Sequence, residues 1–510
     1  MNGSESIRTD WFDRWALYSP DRLALTDEES GRTFTYAQCS RIINRLALVL
    51  RDEYKVTHGD RIAVLATNEI EYVFLFFAAQ KISAILVPIN YRLAPREIGH
   101  ILSDCTPVLF SYQRQFTAEI EALPNGVADG IQTTSFDGPD SLTARMFNEE
   151  LPANTVQQQA DFETPVMVLY TSGTTGTPKG AVITHGMLFW NSVNTSMRLN
   201  LVQQDVTLTF APFFHTGGWN VLTTPFLHRG AHIILLKKFD PEQVLHLCDS
   251  AGVSILFGVP TMMDMMHRCS AFSTVSLATV RYAIVGGEPM PADLIRAWQA
   301  KGVPIRLGYG LTEFGPNVFS LNEEDAIRKI GSIGFPNFYV DTRVVDDSGE
   351  DAADGAVGEL LLRGPVCTPG YWNNPEATAA AIQDGWLRTG DLVRRDEDGY
   401  FYVVDRKKDM FISGAENVYP AEIEHFLRTH PAVEAVAVVG VPDERWGEAG
   451  KAFVVLRKDA VTTAEDLLDF CKGNLAKYKI PKYVVLLDAL PLSDSGKILK
   501  KKLRAIENGR

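Results

Sequence analysis

Cysteine is scarce in this 510-residue chain, with six residues (Cys39, Cys105, Cys248, Cys269, Cys367 and Cys471) and no C-x-x-C pair. That spacing excludes a disulfide framework and a zinc ribbon, and it fits reduced thiols in a cytoplasmic compartment. Positive charge is in deficit as well: 49 Lys and Arg stand against 63 Asp and Glu, a formal net charge of −14. A general nucleic-acid binder needs the opposite balance. No apolar run is long enough to span a bilayer. The most apolar stretch, residues 72–89, is interrupted by Gln80 and Lys81 and reads as a buried helix running into a strand. Met1-Asn2-Gly3-Ser4-Glu5 has no apolar h-region, so no secretory leader is expected, and Asn508-Gly509-Arg510 is not a peroxisomal address. Internal repeats and low-complexity tracts are also missing.

What is present is an ordinary globular composition, 45% hydrophobic and 22% charged, on a chain too long for one core. The densest chemistry lies in residues 170–180, Y-T-S-G-T-T-G-T-P-K-G. Thr171, Ser172, Thr174 and Thr175 offer hydroxyls. Gly173 and Gly176 let the backbone N–H groups approach an anion, and Lys179 adds positive charge. The run reads as a phosphate cradle on a strand edge, between apolar residues 166–169 and a returning strand at 181–183. It is not a Walker A loop, because Pro178 stands where the G-K pair would be.

Four further segments follow in order: Tyr309-Gly310-Leu311-Thr312-Glu313, Gly385-Trp386-Leu387-Arg388-Thr389-Gly390-Asp391, Asp405-Arg406-Lys407-Lys408-Asp409 with Ser413-Gly414, and Ser495-Gly496-Lys497-Ile498. From Thr33-Phe34-Thr35-Tyr36 to Lys497 the set resembles the adenylate-forming (AMP-binding) superfamily: acyl-CoA synthetases, luciferase-like enzymes and adenylation domains.

Periodicity divides the chain. Strand and helix patterns alternate over residues 10–151, and residues 124–158 read as loop-rich. From 167 to 320 the βα rhythm implies a mostly parallel sheet covered by helices, with a strand at 304–307 before Tyr309. Residues 331–405 carry short strands between Asp/Gly turns, read as a β-barrel-like subdomain. After Asp405 an α+β unit follows, with helices expected at 421–429, 463–475 and 498–507. The expected fold class is α/β: a large N-terminal domain of parallel α/β sheets with a β-barrel-like subdomain (1–404) and a small mobile α+β C-terminal domain (405–510), hinged at Asp405.

The resemblance implies a use for each motif. Thr171–Gly176 would cradle the β- and γ-phosphates of ATP. Glu313 would hold Mg2+, Thr312 would bond the α-phosphate, and Tyr309 with Gly310 would stack on adenine, whose other face would meet Gly287, Glu288 and Pro289. Asp391 and Arg406 would take the ribose, and Lys497 would bridge the substrate carboxylate and the α-phosphate during adenylation. A compact ammonium with three donors suits that task. Coenzyme A would then pass Ser413, Gly414 and Ala415, with Trp446, Tyr478 and Lys482 nearby. Trp446 reads equally well as a packing aromatic. Ala415, where many members have glycine, and Ile480, where some have a basic residue, depart from the family pattern.

His215 would gate the acyl pocket, with Gly217, Gly218, Trp219, Val259, Leu311 and Gly315 among its walls. No Lys or Arg stands among these walls, which favours an apolar tail. The expected activity is an ATP-dependent acyl-CoA synthetase using ATP, Mg2+ and coenzyme A. Its acid would be a medium- to long-chain fatty acid first and an aryl or alicyclic acid second. A free-standing loader of a carrier protein or a luciferase-like oxygenase is the alternative within the superfamily, and a catalytically dead relative that only binds adenine nucleotides is the alternative of another class. No nucleic-acid partner and no integral membrane segment are expected, and a homodimer is left open.

Overall fold

The computed structural model describes residues 10–158, 160–171, 178–413, 416–443, 446–472, 474–475, 477–492 and 497–506. It resolves into two compact units, one of residues 1–342 and 362–387, the other of residues 343–361 and 388–510.

The first unit holds two sheets. One has six strands in the order Gln132–Ser135, Leu109–Tyr112, Arg61–Leu65, Ile85–Pro88, Pro165–Thr171 and Lys179–Thr184. All pairs are parallel except the last, a hairpin. The other runs Ser332–Pro336, Gly315–Leu321, Ile305–Leu311, Tyr282–Gly286, Ile255–Gly258, Val206–Thr209, His232–Leu235, Leu23–Asp27 and Thr33–Thr35. It is parallel from Ile305–Leu311 through Leu23–Asp27 and antiparallel beyond each of those strands. The helix Ile70–Lys81 is apolar nearly all round, and every one of its residues is buried, as its pattern requires. Thr35 and Gln38 form a reciprocal capping box that starts the helix Tyr36–Asp52.

The second unit carries the greater part of the neighbouring strands Asp341–Val345, Gly358–Arg363 and Trp386–Arg395, and all of Phe401–Arg406. A separate five-stranded sheet is built on the long antiparallel pair Val433–Asp443 and Gly447–Leu456. Its core packs Phe411, Val418, Ile423, Val436, Val454 and Leu467.

Several element boundaries differ from expectation. The strand expected at 304–307 runs on through Leu311, because Gly315–Leu321 returns beside it and pairs Leu311 with Gly315. Residues 124–158 include a short strand, Gln132–Ser135, and a helix, Leu142–Phe147, capped by Ser141. The helix expected at 463–475 ends at Cys471, after which the backbone turns extended at Lys472. The last helix is the shorter Lys500–Arg504.

Candidate active site

The hairpin Pro165–Thr171/Lys179–Thr184 frames the hydroxyl-rich loop, with Thr171 opposite Lys179. Ser172, Gly173, Thr174, Thr175 and Gly176 lie outside the described residues. Behind the hairpin, the Lys179 ammonium sits 5.4 Å from the centroid of the Tyr371 ring. The Tyr371 phenol donates to Glu313 Oε1 at 2.8 Å. Backbone bonds fasten this group together. Thr368 N–H donates to the Glu313 carbonyl (2.8 Å) and Trp372 N–H to the Gly180 carbonyl (2.7 Å). The Thr368 hydroxyl donates to the Val182 carbonyl (2.6 Å), and Tyr371 N–H donates to Thr378 Oγ1 (2.9 Å). Burial, then the charge of Glu313, pushes the Tyr371 phenol well up, so it stays a donor. The same two causes push the Cys367 thiol to about 12, which leaves it unreactive.

Sequence reading passed over Tyr371. The available signal was a glycine followed by two aromatics, Gly370-Tyr371-Trp372, inside an otherwise loop-like stretch.

Glu313 and Thr312 share a single 3-10 turn, Thr312–Phe314. Ahead of it, Tyr309 meets Phe319 edge-on, with ring centroids 5.7 Å apart. Gly310 abuts Pro316 so closely that a Cβ there would lie 2.3 Å from the Pro316 backbone, and Gly315 has φ +77°. Gly286 faces Gly308 across the parallel register, where a Cβ would come within 2.9 Å of the Gly308 carbonyl oxygen. Gly287, Glu288 and Pro289 are exposed just beyond that strand end. Val259 ends the adjacent strand turn, and a Cβ on Gly287 would touch its side chain at 3.6 Å.

The His215 ring lies against Phe214, with centroids 4.5 Å apart, and the backbone N–H of His215 donates to the Pro212 carbonyl (3.1 Å). Gly217 faces Phe257, and Gly218 presses on Pro212, where a Cβ would sit 2.4 Å from the carbonyl oxygen. Trp219 is fully buried, stacked on Phe213 at 4.1 Å, and its indole N–H donates to the Phe213 carbonyl (2.6 Å).

In the second unit, Asp391 and Arg406 face each other across the strand register, with Nε 2.6 Å from Oδ1. Asp405 accepts from the backbone N–H of Arg406 (2.7 Å) and of Ala421 (2.9 Å). Burial raises its pKa, and Lys500 opposes that. Ser413 pairs with Gly447, which brings it next to Trp446. Asp443, which sequence reading also passed over, joins two predicted residues: it accepts from the Trp446 N–H (3.0 Å) and binds the Lys482 ammonium. Tyr478 packs against the unit's core. Gly414 and Ala415 are outside the described residues. Lys497 is exposed, just before the Ile498 bridge to Leu492.

Mg2+ suits this donor set. Among the described residues no group of three or more His, Cys, Asp and Glu side chains could cage a metal. Mg2+ keeps its waters and leans on one or two carboxylates plus substrate phosphates. Glu313 is such a single carboxylate, and one of its oxygens is already engaged by Tyr371. Among the described residues no helix is long and apolar enough to cross a membrane.

The model of the AMP-binding enzyme family matches residues 12–372, and that of the AMP-binding enzyme C-terminal domain matches residues 422–497. A feruloyl-CoA synthase from an Amycolatopsis species is 39% identical over 494 residues, covering 97% of this chain and 98% of that one. A long-chain-fatty-acid–CoA ligase of Mycobacterium tuberculosis is 37% identical, covering 96% of each. Among solved structures, ATP-bound MatB from Rhodopseudomonas palustris superposes with a TM-score of 0.91 at 31% identity, over 98% of this chain and 99% of that one.

Proposed function

This chain belongs to the AMP-binding enzyme family, and from that premise we propose that its substrate is an apolar carboxylic acid, activated as an acyl-adenylate and handed to coenzyme A. The class of reaction is that of an AMP-forming acid–thiol ligase working with ATP, Mg2+ and coenzyme A. The observation that carries the apolar reading is the wall chemistry. Gly217 faces Phe257 and Val259 neighbours Gly287, with no cation among the residues expected to line the tail. A medium- to long-chain fatty acid suits such a wall. An aryl acid is the second reading, favoured by the end-to-end similarity to a feruloyl-CoA synthase.

A carboxylate cannot acylate a thiol directly, because oxide is too poor a leaving group, and linkage to AMP supplies a good one. In this reading Glu313 holds the metal, Lys179 and Thr171 flank the triphosphate, and Thr312 donates to the α-phosphate. Tyr309 meets the adenine. Asp391 and Arg406 bind the ribose, and Lys497 neutralises charge that develops between carboxylate and α-phosphorus. Ser413, Trp446 and Lys482 serve the thiol step, with residues 405–510 turning about Asp405 between the half-reactions.

The test is AMP and thioester formation with ATP, Mg2+ and coenzyme A across fatty, aryl and alicyclic acids. Thioester from one class identifies the substrate. Acid-dependent pyrophosphate release without thioester would replace coenzyme A by a carrier-protein thiol. Turnover of charged or dicarboxylic acids alone would overturn the apolar reading.

A further inference from the structure

Three side chains from distant parts of the first unit form one chain of contacts: Lys179 at the start of a strand, Tyr371 in a loop and Glu313 in a 3-10 turn. The sole polar atom of the Tyr371 side chain is spent on Glu313, and its ring is spent on Lys179. Its main chain is held on both sides, by a bridge to Ala181 and by the Thr378 hydroxyl. The Glu313 main chain is held too, through Thr368. Both ends of the phenol–carboxylate bond are thus carried on hydrogen-bonded backbone.

That arrangement has a chemical consequence. A carboxylate with both oxygens free can chelate a cation or swing away from it. With Oε1 accepting the Tyr371 hydroxyl, part of its electron density is engaged, so Oε2 is the stronger donor and one-oxygen coordination is favoured over chelation. Mg2+ demands near-ideal octahedral geometry and dehydrates reluctantly, so a single oriented oxygen suits it better than a chelating pair. Over the Tyr371 ring, Lys179 is drawn to the π-face, which gives its ammonium a preferred seat.

We propose that Tyr371 is a positioning residue for the metal–triphosphate: its hydroxyl fixes Glu313 for one-oxygen coordination of Mg2+, and its ring seats Lys179. The proposal rests on reading Glu313 as the metal carboxylate.

The experiment uses the full-length protein, with ATP but no acid, so that nothing turns over. Binding of Mn2+ is followed by electron paramagnetic resonance, and binding of ATP is followed by calorimetry with Mg2+ or with EDTA. Tyr371→Phe keeps the ring and loses the hydroxyl. The expected result is about tenfold weaker Mn2+ binding in the presence of ATP, in line with loss of a charge-assisted hydrogen bond, and ATP binding in EDTA unchanged. Tyr371→Leu, which also loses the ring, is expected to weaken ATP binding in EDTA as well.

Glu313→Gln separates the two levels. If it leaves Mn2+ binding at the wild-type value, the reading of Glu313 fails. If it weakens Mn2+ binding while Tyr371→Phe does not, the positioning role fails alone. A Tyr371→Phe effect that persists undiminished in the Glu313→Gln background also overturns the proposal, since the hydroxyl would then act elsewhere. Thermal unfolding of each variant, with Tyr371→Phe expected to match wild type closely, separates metal binding from loss of fold.

Discussion

Arg406 holds Asp391 across an antiparallel strand pair, with Nε 2.6 Å from Oδ1, and the two partners differ sharply in environment. The Asp391 side chain is 4% exposed and that of Arg406 is 47% exposed. Water therefore screens the pair from the arginine side, and its stability contribution is small, about 1 kcal/mol or less. The carboxylate is more valuable as a buried acceptor than as half of an ion pair. Asp391→Asn should thus leave thermal unfolding nearly unchanged. It should raise the KM for ATP about tenfold or more, as expected for a lost charge-assisted hydrogen bond. Pyrophosphate release measured against ATP concentration checks this, and an unchanged KM would remove Asp391 from the nucleotide site.

Lys497 is exposed, so its loss should cost little folding energy. Lys497→Ala is expected to cut acid-dependent pyrophosphate release by about 100-fold or more, the scale of losing one preorganised charge donor. ATP affinity should stay within about threefold by calorimetry, since an interaction made only in the transition state changes rate and not ground-state binding. Full activity in this variant would take the lysine out of the adenylation step.

Gly218 has no room for a side chain, because a Cβ would lie 2.4 Å from the Pro212 carbonyl oxygen and 2.7 Å from that of Ala211. Both neighbours are backbone, so relief requires a main-chain shift. Gly218 also donates to the His215 carbonyl at 3.0 Å, so the shift would carry His215 with it. Gly218→Ala is expected to destabilise by about 1–3 kcal/mol, the usual scale of overpacking. Acid turnover should fall more than ATP binding does. Denaturant unfolding alongside acid-dependent kinetics provides the check.

His185 opens the helix His185–Leu199 and is buried, and burial lowers its pKa from 6.5 to about 3. Unfolded, the same side chain takes a proton near pH 6.5. Between those values the unfolded state binds more protons than the folded one, so stability falls as pH drops from about 6.5 toward 4. The group contributes a slope of up to about 1.4 kcal/mol per pH unit in that window and none above it. His185→Gln should flatten the acid limb of a stability-versus-pH curve while leaving the slope above pH 7 alone. Parallel curves for the two proteins would show that His185 does not cause the acid sensitivity.

Residue type at short spacing decided much on its own. The hydroxyl-glycine run at 170–180, the Tyr309-to-Glu313 segment and the Gly496-Lys497-Ile498 triplet are recognisable wherever they sit, because each needs only local composition. Local physics also pointed to a buried helix in the apolar stretch from residue 72, observed as Ile70–Lys81, and to a helix opening at Thr463. What only tertiary structure decided is which of these residues meet. Tyr371 follows Glu313 by 58 positions and follows Lys179 by far more, and the three come together only because Ala181 bridges Tyr371 and Thr368 bonds both Val182 and Glu313. Asp443 likewise joins Trp446 to Lys482 only once the long strand pair has set its register. Short-range pattern is written in the order of residues. Pairing across a sheet depends on register and on burial of the intervening chain, and these exist only when the whole unit has folded.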